Sequence, residues 1–131
     1  MNLPTQAALA RYGAVKVTTA NPGQILVMLY DGLMRFLREA QGAFVAKERA
    51  RAGERISRSL AILDQLLVGL DPKHAPDLCE KLQSVYIFCI QRLVSASVGQ
   101  DADMVGEVIR VLAPLRDAWS TAVLEVASAP R

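Results

Sequence analysis

From position 25 onward the apolar residues of this chain recur at the period of an α-helix. Ile25, Met28, Leu29, Leu33, Phe36, Leu37, Ala40 and Phe44 make one stripe with spacings of mostly three and four, and Leu26, Val27, Tyr30 and Met34 make a second beside it. Gln24, Asp31, Arg35, Arg38 and Glu39 fall together on a narrow polar strip. Asp31-Gly32 between two apolar runs is a β-hairpin signal. The flanking Met, Leu and Arg residues prefer helix, and Asn21-Pro22 offers an N-cap followed by a first-turn proline. The pattern therefore predicts one helix over about 22–45. Gly32 inside it costs about 1 kcal/mol relative to alanine, and close approach of another helix or a peptide would give it a use. Asp31 and Arg35, four apart, have the spacing of a solvated pair.

The same reading predicts helices at about 48–70, 76–98 and 101–127. In the second, Ile56, Leu60, Leu63, Leu67 and Leu70 alternate spacings of four and three, a heptad-like seam, with Ile62 and Leu66 on a second line. Asp71-Pro72 and Ala75-Pro76 break the chain. The third places Leu78, Leu82, Val85, Tyr86, Cys89, Leu93 and Ala96 on one side, widened by Ile90 and Val94, and Gly99 closes it. Asp101 caps the fourth, whose apolar period from Met104 to Val126 survives Pro114, a residue expected to kink it. Residues 1–20 show little periodicity and read as a flexible arm carrying Tyr12, Val15 and Val17. Long amphipathic helices with short connections predict an all-α, antiparallel up-down four-helix bundle with an N-terminal arm, as a single domain spanning 1–131.

Composition agrees with that class. Hydrophobic residues reach 52% while aromatics are only 5%, which favours a bundle over a β-sandwich. The net charge of +2 is too small to imply a nucleic-acid partner. Lys47, Arg49, Arg51, Arg55 and Arg58 form a basic stretch, but no aromatic residues are interleaved for base stacking, so it reads as a solvated helix face. No apolar stretch approaches the roughly 20 residues of a membrane helix, so no membrane insertion is expected. The opening MNLPTQAALARYG lacks a basic start followed by an apolar run, and the expected location is the cytoplasm. Cys79 and Cys89 on one helix would lie about 15 Å apart along its axis, whereas a disulfide needs Cα atoms within about 7 Å. They read as core fillers.

No catalytic constellation is visible. His74 is the single histidine, which excludes the paired Glu-x-x-His motifs of a di-metal bundle and leaves the serines without a base. No phosphate loop is present. The expectation is a protein that is not an enzyme and uses no cofactor or metal. What stands out is an excess of apolar residues beyond one stripe per helix. A central helix 1, self-association into a homodimer, and a groove for a partner's amphipathic helix each account for it.

The motifs also resemble the FliS family of flagellar secretion chaperones, from Tyr12 to about Trp119. The family's "LMLYDG"-like run is present as Val27-Met28-Leu29-Tyr30-Asp31-Gly32. Upstream of it, Tyr12 and Val17-Thr18-Thr19-Ala20-Asn21-Pro22 resemble the N-terminal signature. Leu82, Tyr86, Arg92-Leu93 and Ala96 match the third helix, and Leu115-Arg116-Asp117-Ala118-Trp119 is similar to the family's "LR-x-AW" ending. Val85, Ser97 and Pro114 depart from the common pattern. The resemblance implies a cytoplasmic export chaperone that binds the C-terminal region of flagellin, opposes premature polymerisation and aids delivery to the flagellar export apparatus. It sets Tyr12, Val17, Leu26, Tyr30, Asp31, Met34, Ile62, Leu66, Ile90 and Val94 as candidates for flagellin binding or arm docking. The runner-up is a non-chaperone helical adaptor or homodimerisation module.

Overall fold

Helical periodicity over long stretches, interrupted only at short polar or proline-bearing segments, gives helices and no strand among the described residues. The computed structural model describes residues 22–128. The arm and the Asn21 cap lie outside that range. The helices are α1 (Pro22–Val45), α2 (Arg49–Val68), α3 (Pro76–Gly99) and α4 (Ala102–Ser128). Each packs on its neighbour in sequence, and α4 closes the ring against α1, the topology of an up-down bundle.

The connections are tight because each contains a residue in the left-handed region: Lys47, Ala75 and Gln100, with φ of 60°, 50° and 53°. After α1 the chain turns back through Glu48 N–H donating to Ala43 O at 2.9 Å. After α3 the left-handed residue is Gln100, not Gly99 as the pattern suggested. The Gln100 side chain donates to Ser97 O at 2.8 Å, and Asp101 N–H donates at 2.9 Å to Ala96 O, which also accepts from the Gln100 backbone N–H, so these two carbonyls of the last turn are satisfied. Asp101 then caps α4 by accepting from the backbone N–H groups of Asp103 (2.9 Å) and Met104 (3.2 Å). α4 runs through Pro114 as one helix.

Both stripes of α1 enter the core. Leu26, Tyr30 and Met34 of the second are buried together with Leu33, Leu37, Ala40 and Phe44 of the first, whereas Met28 of the first is 64% exposed. In α2, Leu66 and Ser59 are fully buried beside Ile56 and Leu63, while Leu60 and Leu67 are half-buried. The reason is that α2 touches α1 on one side and α3 on the other, so its core direction bisects the two lines. Ser59 is tolerated inside because its hydroxyl donates to Arg55 O at 2.9 Å. Cys79 and Cys89 are free and buried; the Cys79 thiol points at Asp71 O (3.2 Å) and His74 O (3.3 Å) and ties α3 to the loop before it.

Candidate functional site

The candidate residues divide by depth. Tyr12 and Val17 lie outside the described residues. Leu26, Tyr30 and Leu66 are fully buried and Met34 nearly so. Tyr30 reaches across the bundle to α3, where its hydroxyl meets that of Tyr86 at 2.5 Å. Trp119 of α4 packs beside it with ring centroids 6.5 Å apart and planes tilted by 53°. Burial pushes the Tyr30 phenol up from 10.0 to about 12, opposed by the bond to Tyr86 and by the nearby Trp119 N–H. That indole N–H, though close enough to favour phenolate slightly, finds no acceptor at full hydrogen-bond geometry. Tyr30, Tyr86 and Trp119 thus tie three helices together through one hydroxyl–hydroxyl bond and one ring–ring contact.

Asp31, one residue on, faces outward. Its partner is Arg116 of α4, not Arg35: Arg116 Nε donates to Oδ1 at 2.6 Å and Nη2 approaches Oδ2 at 3.4 Å. Arg35 instead lies over the Phe36 ring. Asp31 and Arg116 line a polar cleft of about 350 Å³ between α1 and α4, together with Met34, Arg38, Ala113 and Asp117. Two carboxylates and two guanidiniums balance there, so the cleft has no excess charge to draw an ion.

The apolar surface is concentrated on α3. Ile62 and Ile90 are half-buried, and Val94 is 48% exposed. Beside Val94, Ile87 and Phe88 are exposed, and Val98 is 83% exposed. Ile87, Phe88 and Val98 were not among the candidates. Their signal was in the run Val85-Tyr86-Ile87-Phe88-Cys89-Ile90, because six consecutive apolar residues on a helix cannot all face a core. Ile87, Ile90, Val94 and Val98 follow spacings of three, four and four and so form one stripe, about 16 Å long at 1.5 Å per residue.

This surface is apolar and offers no reactive group. Burial raises the Cys89 thiol from 9.0 to about 12, which leaves it protonated and unreactive at neutral pH. Among the described residues no cluster of His, Cys, Asp and Glu could hold a metal, and no helix is long and apolar enough to cross a membrane.

Comparison with known proteins gives a consistent result. The family model described as "Flagellar protein FliS" matches residues 5–126. A flagellar secretion chaperone FliS of Salmonella typhimurium is 32% identical over 125 residues, covering 88% of this chain and 89% of that protein. The FliS of Bacillus subtilis is 30% identical over 112 residues, covering 86% and 83%. The flagellar secretion chaperone FliSB of Pseudomonas aeruginosa is 28% identical, covering 79% and 82%.

Proposed function

The chain belongs to the FliS family of flagellar secretion chaperones, and on that premise we propose that its client is the C-terminal region of flagellin, held in the cytoplasm before export. The observation that supports this reading best is the uncovered stripe Ile87, Ile90, Val94 and Val98 on α3. A partner helix with apolar residues at the same three-and-four spacing would match it turn for turn. An unassembled amphipathic segment exposes just such a stripe, and covering it opposes self-association. Because the segment must be ordered on binding, the apolar contact has to offset that entropy. The reading includes no catalytic step and no cofactor: the chaperone works by contact alone. Among the candidate residues on α3, Val94 is exposed on the stripe and is proposed as a direct client contact, with the half-buried Ile90 beside it. Leu26, Tyr30, Met34 and Leu66 act by holding the helices that present the surface. The Asp31–Arg116 pair fixes α1 against α4.

Calorimetry with a C-terminal flagellin peptide tests the proposal. Micromolar or tighter binding is expected, weakened at least about tenfold, or 1.4 kcal/mol, by Val94→Glu. This exposed substitution should leave the helical circular dichroism unchanged. A folded protein that does not bind the peptide overturns the proposal. So does a tight dimer in sedimentation that the peptide neither breaks nor joins, because the stripe then serves self-association.

A further inference from the structure

The edge of the bundle where α1 meets α2 has a different character. Residues 35–58 hold seven of the fifteen cationic residues and three of the thirteen acidic ones, so with a total of +2 the rest of the chain is net negative. The positive charge is focused on one ring. The guanidiniums of Arg35, Arg55 and Arg58 lie 5.0, 5.8 and 5.8 Å from the centroid of Phe36. Arg51 stands one turn before Arg55 on the same edge of α2 and is exposed.

These arginines are only partly spent on internal pairs. Glu54 is bonded to both Arg55 and Arg58, and the Arg58 bond holds its carboxyl below the usual range. Arg55 Nε comes within 2.8 Å of Glu39 Oε1, but its N–H is not aimed along that line and has no hydrogen-bond partner. Arg35 and Arg51 make no ion pair among the described residues. Four guanidiniums thus face two carboxylates, a surplus of positive charge beside a half-buried aromatic ring.

An apolar strip runs away from this ring along the same interface. One turn below Phe36 is Gly32, where an added Cβ would meet only Ile62 Cδ1 of α2 at 3.6 Å. One turn further is Met28, 64% exposed. With no side chain at Gly32, the strip has a low point flanked by Met28, Ile62 and Phe36, and partner backbone can approach there.

We propose that this α1–α2 face is a second protein-docking surface, separate from the α3 stripe, which takes an acidic amphipathic helix of a partner protein. The partner's apolar residues lie along Met28, Gly32, Ile62 and Phe36, and its carboxylates pair with Arg35, Arg51 and Arg58. Charge complementarity decides the occupant. Guanidiniums fanned over an aromatic ring and interleaved with Glu39 and Glu54 suit discrete carboxylates in forked geometry. A nucleic-acid backbone would instead meet those two glutamates as repulsion and would find no second aromatic ring to stack a base. A chaperone with a surface of this kind can be read by a second protein while the client stays bound.

The test uses the full chain and three fluorescent probes. The first is an 18-residue helical peptide with leucines on one face and glutamates beside them, the second is the same peptide with lysine for every glutamate, and the third is a mixed-sequence DNA duplex. The acidic peptide is expected to bind at least about tenfold more tightly than the basic one and to lose affinity as salt rises. Arg35→Glu with Arg58→Glu should weaken it at least about tenfold, and prior loading with flagellin peptide should leave it bound. Equal binding of the two peptides by the native protein overturns the proposal. Tighter binding of the duplex than of the acidic peptide overturns it in favour of a nucleic acid. Displacement by the flagellin peptide shows a single shared site and overturns it as well. Flagellin binding itself is measured separately through Val94→Glu, so failure of one proposal does not hide in failure of the other.

Discussion

At the scale of the residue, Tyr30 bears most on how the bundle is held. It is fully buried, bonded to Tyr86 and packed on Trp119. Tyr30→Phe keeps the ring and removes one oxygen, and should cost about 1 kcal/mol in urea unfolding, the net value of one hydrogen bond. Tyr30→Ala empties the centre of the molecule and should cost about 3–5 kcal/mol, so a client-binding assay on that variant reads loss of fold. The phenol and the Cys89 thiol also set a pH dependence. Both are acids whose folded pKa, about 12, lies above the unfolded value, 10.0 for Tyr30 and 9.0 for Cys89. Burial of the neutral forms therefore contributes stability that is fully present below pH 9 and is lost as pH rises toward 12. The urea midpoint should fall between pH 8.5 and 10.5, and Cys89→Ala should flatten that fall while lowering the midpoint at pH 8.5. A midpoint independent of pH in this window would mean that water reaches both groups.

At the scale of the element, the helices were legible in sequence because the 3.6-residue period persists over more than twenty residues in α1, α3 and α4. The side that each helix turns to the core was less legible. α1 is apolar on two adjacent stripes, and periodicity alone cannot say whether Met28 or Leu26 faces inward. Only the positions of α2 and α4 on either side of α1 decide it. The end of α3 was misread for a related reason: glycine is the usual left-handed residue, yet Gln100 takes that role because its own side chain bonds back to Ser97 O. The exposed stripe on α3 is half legible in sequence: Ile90 and Val94 widen the apolar face and stand among the binding candidates, while Ile87 and Val98 do not. Two substitutions test this scale. Asp101→Ala removes the acceptor for two backbone N–H groups at the start of α4 and should cost about 1 kcal/mol. Gly32→Ala places a methyl group at ordinary contact distance, 3.6 Å from Ile62 Cδ1, and should raise stability by about 0.5–1 kcal/mol through helix propensity. Thermal unfolding of both variants reads the signs. If Gly32→Ala is destabilising, α2 lies closer to α1 than this geometry has it.

At the scale of the whole molecule, the four helices are not equally held. α1 shares broad interfaces with α2 and α4, whereas α3 meets α2 and α4 more narrowly. α3 also has the longest run of uncovered apolar side chains, from Ile87 to Val98. Narrow contact and exposed apolar surface both lower the free energy needed to open an element locally. A client that covers the stripe adds contact to the least supported helix, so binding and local stability are coupled. Native-state hydrogen exchange should therefore show α3 amides exchanging through openings smaller than the global unfolding free energy, with the central turns of α1 exchanging only on global unfolding. Adding a saturating C-terminal flagellin peptide should slow α3 most, by a factor that rises with free peptide concentration. The Val94→Glu variant should show the same protection with and without peptide. Uniform exchange across α1 and α3 would mean that the bundle opens only as a unit. Slowing confined to α1 and α4 would place the client on the other side of the molecule, against the Asp31–Arg116 cleft.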